Sequence, residues 1–216
     1  MAWTTLSLSL RLFFRRLGIF LVGNILWLLL SLLLVTWPAA TGGLFYLAHR
    51  VVREERDLDP HYARVADFWT GFRRYGLQST IVVLLDLGVL IILATALRFY
   101  LNSPVEPLRW LIGPIFVVLA TWLGMQVYLF PLLITSAEQG IVTVVRRAFL
   151  TAISYPLDTL LLLLSLFLLS VACLALAGPV LLLLFALLAL IQTMALRMIR
   201  IERSEISPQS NRNKVK

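Results

Sequence analysis

The chain has 216 residues, of which 60% are hydrophobic, and its formal net charge is +8. A soluble globular domain contains about 45–50% apolar residues, so this composition excludes an ordinary soluble domain and indicates an integral membrane protein. Its basic residues lie beside the apolar segments, where anionic lipid headgroups attract them. We therefore expect no binding of nucleic acid.

The first predicted element is an apolar span over residues 17–37, preceded by a basic segment with Arg11, Arg15 and Arg16. This span is longer than the ~7–15 apolar residues of a signal peptide, so we predict that it stays in the membrane. Further spans are predicted over residues 77–97, 110–135, 157–175 and 179–196. At a rise of about 1.5 Å per residue, each of these helices covers about the 30 Å of the hydrocarbon core.

Residues 38–52, after the first span, are predicted to return across the membrane as a short helix. The segment is apolar, begins with Pro38 at a favourable first position of a helix, and contains two adjacent glycines that permit close helix approach. With this return, all but Arg98 and Arg109 of the 19 basic residues lie on one side of the membrane. The positive-inside rule then predicts that both termini are cytoplasmic.

Two amphipathic segments, residues 62–75 and 138–152, are predicted to form helical arms on the cytoplasmic side. In both, apolar residues recur at spacings of three and four beside a pair of arginines, as in helices that lie in the membrane interface or dock on another helix. The candidate cytoplasmic interface of these arms consists of Trp69, Phe72, Arg73, Arg74, Arg146 and Arg147. Because arginine binds phosphates and carboxylates bidentately, the arms are predicted to hold anionic lipid or an acidic partner protein. The alternative is that both arms simply fold back onto their own spans.

One carboxylate, Asp86, lies near the middle of a predicted span. Inserting a charge there costs about 2.5–3.5 kcal/mol, so an intramembrane acid is a candidate for proton or cation handling. Asn24, Gln126 and Gln192 are predicted to lie in the inner half of the membrane, where they would form a polar layer with Asp86. The alternative role is structural, because interhelical hydrogen bonds also hold bundles together, at about 0.6 kcal/mol each.

No catalytic or metal-binding pattern is found in the sequence. Cys173, the single cysteine, lies in an apolar run, and His49 and His61 lack the spacing of a metal site. No arrangement of Ser, Cys or His predicts a nucleophile, and no Gly-rich loop predicts a phosphate cradle. We therefore expect no metal, no cofactor and no enzymatic activity.

The predicted fold class is an all-α membrane protein with five long transmembrane helices, one short returning helix and the two cytoplasmic arms. A chain of this length leaves room for one membrane domain, which we predict over residues 1–200. Residues 201–216 have the low hydrophobicity of a disordered end, so they are predicted to form a basic cytoplasmic tail.

Three segments of the chain resemble a known family. They read Asn24-Ile25-Leu26-Trp27-Leu28, Val35-Thr36-Trp37-Pro38-Ala39-Ala40-Thr41-Gly42-Gly43-Leu44-Phe45-Tyr46 and Asp67-Phe68-Trp69-Thr70-Gly71-Phe72. Over residues 24–78 the chain resembles the YesL-like family of bacterial membrane proteins (domain of unknown function 624). The resemblance implies a multi-pass protein of the bacterial inner membrane, with undetermined biochemistry and with some relatives associated with carbohydrate uptake. It implies no catalytic residues.

These observations favour a non-enzymatic inner-membrane protein, an accessory or scaffold of a membrane complex, with a link to carbohydrate uptake as a further expectation. The alternative is a small transporter or channel that uses the polar layer around Asp86. A lipid-modifying enzyme is a third class, which would need a cluster of His and acidic residues around one cytosolic cleft. The expected partners are anionic lipids of the bilayer and a second membrane protein.

Overall fold

The computed structural model describes residues 2–55, 62–102, 110–136, 140–175 and 181–212, and all regular structure within these ranges is helical. The helices of this part of the chain are α1 (Ala2–Arg15), α2 (Leu17–Ser31), α3 (Trp37–Glu54), α4 (Val65–Leu101), α5 (Ile112–Thr135), α6 (Ile141–Ser154), α7 (Pro156–Ala175) and α8 (Leu181–Arg212). The predicted all-α class is therefore confirmed for the described residues.

Among the described residues, four helical segments are long and apolar enough to cross a membrane. They are Val65–Leu101, Ile112–Thr135, Pro156–Cys173 and Leu183–Ile201. Helices α1 and α2 reach the necessary length and hydropathy only as a pair, and they meet at an angle of 91°. The chain is thus compatible with a multi-pass membrane protein of four spans, or of five if the bent pair is a broken span.

The first predicted span, residues 17–37, is divided in the structure. Helix α2 ends at Ser31 after 15 residues, so it reaches only about 22 Å. A turn follows, in which the Thr36 hydroxyl donates to the carbonyl of Leu33 over 2.9 Å, and α3 then begins at Trp37. The physical reason is Pro38, which has no N–H for an interior helical bond and whose ring excludes the carbonyl four residues earlier.

Ion pairs bring the two outer ends of the α2–α3 hairpin together. Arg15, just before α2, pairs with Glu55 over 3.0 Å, and Arg16 pairs with Glu54. Glu54 also accepts a hydrogen bond from the backbone N–H of Ala63 over 2.9 Å. The start of α2 and the end of α3 therefore lie on the same side of the molecule, as the predicted return requires.

The first predicted arm, residues 62–75, is not a separate element. Helix α4 runs without a break from Val65 to Leu101, which is 37 residues or about 55 Å. Asp67 stabilises its start by accepting the backbone N–H of Arg64 over 2.7 Å. Gly76, where a break was expected, packs against α3 instead, so that a Cβ there would lie 3.2 Å from the Cβ of Ala39.

The second predicted arm corresponds to a separate helix, α6, which begins at Ile141. Its buried residues, Val144, Ala148 and Ala152, recur every fourth position and so form one face. This face packs on α5, where a Cβ on Gly124 would lie 3.7 Å from the Cβ of Ala152. The first residues of the predicted arm, 138–139, lie outside the described residues.

The short helix α3 lies at the centre of the bundle and packs against α2, α4, α5 and α8. Large side chains from these helices are completely buried around it, among them Phe20, Leu47, Phe68, Tyr128 and Ile191. The spans in α4 and α7 are peripheral, since only 6% and 22% of their most apolar stretches are buried within the chain. Their exposed apolar faces suit contact with lipid or with another membrane helix.

The backbone of α8 is helical to Arg212, beyond residue 200, where the membrane domain was predicted to end. A helix that is already nucleated extends into polar residues at low cost, which accounts for the difference from the predicted disordered tail. Residues 213–216 lie outside the described part of the chain. The division into a membrane domain and a tail stays a prediction.

Candidate functional site

The structure brings two of the four predicted polar-layer residues into direct contact. Gln126 on α5 donates an N–H to the carboxylate of Asp86 on α4 over 2.7 Å. Both side chains are half-buried between the two helices. The arrangement has the geometry of an interhelical hydrogen bond, which holds two spans together where neither side chain has much water to bind.

Asn24 makes a different contact. Its side chain is completely buried, and its Oδ1 atom accepts the backbone N–H of Ala186 over 3.1 Å, which joins α2 to α8. Gln192 is half-buried on the same helix, about 9 Å from Ala186 along the axis. Within the predicted polar layer, Asp86 and Gln126 thus contact each other directly, whereas Asn24 binds the main chain of Ala186.

A cluster of aromatic and cationic side chains lies near the start of α4. We call this cluster, Trp69, Phe72, Arg73 and Arg74, the α4 surface. The rings of Trp69 and Phe72 stack with 5.0 Å between their centres and 4° between their planes. The Arg73 guanidinium lies 5.2 Å from the centre of the Trp69 ring, close enough for a cation–π contact of about 0.5–1 kcal/mol at an exposed site.

Trp69, Arg73 and Arg74 point away from the bundle, whereas Phe72 packs against the hydrophobic core. Trp69 is 43% exposed, Arg73 and Arg74 are exposed, and Phe72 is half-buried. Phe68, one turn before Phe72, is completely buried. The α4 surface therefore presents a flat aromatic pair and two guanidinium groups on a helix whose other face is part of the core.

Two glycines allow this part of α4 to pack closely against α3. A Cβ on Gly43 of α3 would lie 2.8 Å from the carbonyl oxygen of Phe68 and 3.2 Å from the nitrogen of Phe72. A Cβ on Gly71 of α4 would collide with the Cβ of Tyr46. The two helices consequently touch backbone to backbone, directly behind the aromatic pair.

Arg146 and Arg147, the other predicted interface residues, are exposed on α6. They lie outside the buried face of that helix, which Val144, Ala148 and Ala152 form. Their exposure leaves both guanidinium groups accessible to a ligand. Their role together with the α4 surface stays a prediction.

Two arginines of α8, which were not among the predicted site residues, bind neighbouring helices. Arg197 donates to the carbonyl of Val52 near the C-terminal end of α3, over 3.1 Å. Arg200 donates to the hydroxyl of Thr135 at the end of α5, over 2.8 Å. Their spacing of three residues was the available signal, because it places both on one face of the helix, and a cation near a helix C-terminus interacts favourably with the helix dipole.

Within the described ranges, no group of three or more His, Cys, Asp or Glu side chains could hold a metal ion. The donors that are present serve other contacts, as Glu54 and Glu55 do in their pairs with Arg16 and Arg15. The arginines of the α4 surface and of α6 can bind carboxylates or phosphates, and the aromatic rings of the α4 surface can pack against a partner.

Comparison with known proteins identifies one family. Residues 20–97 match the model of a family described as "Protein of unknown function, DUF624". The match contains residues 24–78, so the predicted YesL-like resemblance is confirmed at the level of the family. It covers most of α2, all of α3 and most of α4, including Asp86 and the α4 surface. Searches of curated proteins and of solved structures give no match.

Proposed function

We propose, from the premise that residues 20–97 belong to the family DUF624, that the chain is a non-enzymatic accessory or scaffold protein of the bacterial inner membrane. It binds a partner membrane protein through the α4 surface. The observation that carries this proposal is the exposed stack of Trp69 on Phe72 with Arg73 above it. Flat aromatic and guanidinium groups on a rigid helix lose little entropy when a partner covers them.

The chemistry of the α4 surface defines the partner. Tryptophan and arginine are the residues that most often dominate binding energy at interfaces, where an aromatic ring fills a pocket. Arg73 and Arg74 add two positive charges that no ion pair within the described residues neutralises. We therefore expect an acidic segment with at least one apolar side chain, contributed by a protein at the same membrane surface.

The resemblance to YesL-like proteins directs the search for this partner. Because some of those relatives are associated with carbohydrate uptake, a membrane complex for uptake is the first candidate. The exposed apolar faces of α4 and α7 provide area within the bilayer for the same complex. A scaffold could then contact its partners both within the bilayer, through these apolar faces, and beside the membrane, through the α4 surface.

Binding of the partner is tested by co-purification in mild detergent. Trp69→Ala is expected to weaken binding about 30-fold, since a central aromatic anchor contributes about 2 kcal/mol or more. Trp110→Ala is the matched control, because Trp110 is also exposed, at 84%. The retained protein is identified by mass spectrometry, and its amount is compared between variants at equal expression.

A second comparison separates protein from lipid at the same surface. Arg73→Ala/Arg74→Ala is expected to weaken protein binding, while Arg146→Ala/Arg147→Ala tests whether α6 contributes equally. If the arginine variants lose bound lipid and Trp69→Ala retains all of its co-purifying protein, the α4 surface binds lipid and the scaffold proposal is wrong.

The proposed topology places both termini and the α4 surface in the cytoplasm. The ion pair of Arg15 with Glu55 and the distribution of basic residues along the chain support this topology. In a Cys173→Ser background, Asn102→Cys is expected to react with an impermeant thiol reagent on intact cells. Arg56→Cys and Lys214→Cys should react only after permeabilisation. Labelling of Lys214→Cys from outside would contradict this topology.

A second candidate function is a small transporter or channel. It is favoured by one observation, the half-buried carboxylate of Asp86 within the span of highest mean hydropathy, 2.6. Such a group is costly unless it is paired or functional. The hydrogen bond from Gln126 offsets part of the cost of burying the carboxylate, and it therefore supports a structural role for Asp86.

A further inference from the structure

A cavity of about 240 Å³ lies between α1, α8 and the C-terminal end of α3. One part of its wall is apolar and is formed by Leu8 and Leu12 of α1 and by Met194 and Met198 of α8. None of these residues belongs to the α4 surface. The flexible, polarisable side chain of methionine adapts to irregular apolar ligands.

The rest of the wall is charged. Arg11, Arg15 and Arg197 contribute three guanidinium groups, and Glu55 contributes one carboxylate. Arg15 pairs with Glu55 over 3.0 Å, whereas Arg11 takes part in no ion pair among the residues that the structure describes. The wall therefore carries an excess of two positive charges.

Arg197 has donors to spare. It gives one N–H to the carbonyl of Val52 over 3.1 Å, and a guanidinium has five N–H donors in all. Its contact with α3 fixes the position of the group at the edge of the cavity. A fixed guanidinium suits a planar or tetrahedral oxyanion, which it can bind through two parallel hydrogen bonds.

The cavity also lies at the right depth for a lipid headgroup. Helix α1 meets α2 at 91°. If α2 crosses the bilayer, as the proposed topology has it, α1 then runs along the membrane surface. With the topology proposed above, this is the cytoplasmic surface. Basic pockets between helices on that side are suited to anionic lipid headgroups.

We propose that this cavity is a specific binding site for an anionic phospholipid. The phosphate lies among Arg11, Arg15 and Arg197, and the first atoms of an acyl chain lie against the leucines of α1 and the methionines of α8. The excess positive charge selects an anionic headgroup over a zwitterionic one. The bound lipid seals α1 onto the ends of α3 and α8, so it ties the surface helix to the core of the bundle.

The test uses the purified full-length chain in neutral detergent, titrated with short-chain phosphatidylglycerol or phosphatidylcholine and followed by intrinsic tryptophan fluorescence. Phosphatidylglycerol is expected to bind at least about 10-fold more tightly. Each arginine near the surface contributes about 1 kcal/mol, so Arg11→Gln should weaken binding about 5-fold and Arg11→Gln/Arg197→Gln about 30-fold.

Two controls keep the result specific. Arg73→Gln/Arg74→Gln removes the same charge from the α4 surface, and it should bind the lipid as the unmodified chain does. Leu8→Trp narrows the cavity without changing charge, and it should weaken binding while the protein remains folded. Because Arg11 makes no ion pair with the described residues, Arg11→Gln alone reports on the site even if Arg197→Gln destabilises the fold.

Other outcomes would overturn the proposal. Equal losses in the cavity variants and in the α4-surface variant would mean general attraction of lipid to a basic protein. Competition by millimolar glycerol 3-phosphate would mean that the ligand is a free phosphate ester and not a lipid. The scaffold proposal is independent of both results, since it depends on Trp69 and on co-purifying protein.

Discussion

Gly43→Ala is expected to destabilise the protein by about 1–3 kcal/mol or more, the usual cost of inserting an additional group into a packed interior. The added Cβ would lie 2.8 Å from the carbonyl oxygen of Phe68, an atom of the main chain. No rotamer change can relieve that contact, so α3 and α4 must move apart. Because Gly43 is buried in the central helix, the shift weakens the whole core.

Gly88→Ala is the matched control. Gly88 lies on the exposed part of α4, and a Cβ there meets no atom within 4 Å. Alanine favours a helix by up to about 1 kcal/mol over glycine, so this variant should unfold at the same or at a higher temperature. The measurement is thermal unfolding in mild detergent, with tryptophan fluorescence as the signal. Equal melting temperatures for both variants would contradict the close contact of α3 with α4.

The same contact connects stability to the proposed binding surface. Gly43 approaches the main chain of Phe68 and Phe72. Phe68 directly precedes Trp69, and Phe72 follows it by three residues. Moving α4 away from α3 changes the angle at which the aromatic pair is presented. We therefore expect Gly43→Ala to weaken partner binding as well, in contrast to Gly88→Ala.

Asp86→Leu is expected to lower stability by about 1–3 kcal/mol, because it leaves the amide of Gln126 half-buried without its acceptor. The double variant Asp86→Leu/Gln126→Leu should recover most of this loss. Both polar groups are then replaced by apolar ones, and the original bond contributes only about 0.6 kcal/mol. Thermal unfolding of Asp86→Leu, Gln126→Leu and the double variant measures the coupling free energy between Asp86 and Gln126.

The double variant, together with Asp86→Asn, separates the two candidate functions. If the protein is a scaffold, the double variant should retain its partner in co-purification. If it is a transporter, Asp86→Asn should abolish ion-dependent flux in proteoliposomes while leaving the melting temperature nearly unchanged, since the amide preserves shape and hydrogen bonding. Loss of flux in Asp86→Asn would overturn the scaffold proposal in favour of the transporter.

The lengths of the apolar runs were sufficient to predict the helical class and the four candidate spans of α4, α5, α7 and α8. The reason is that the bilayer acts on each segment separately, since its hydrocarbon demands that every backbone polar group be bonded within the segment. The family resemblance was likewise a local property, carried by residues close together in the chain. Asp86 and Gln126 could be assigned a similar depth because helical rise converts sequence position into distance.

Helix boundaries and contact partners depended on tertiary packing. No proline separates residues 62–75 from the span that follows. Helix α3 supports α4 along this stretch through Gly71 and Gly76, so the two predicted elements became one helix. The end of α2 at Ser31 precedes Pro38 by almost two turns, so the proline predicts that the helix breaks but not at which residue it ends. Asn24 binds the main chain of Ala186, 162 residues away. Periodicity within one segment describes a face but does not specify which distant helix covers it, because that choice depends on how all the helices fill the same volume.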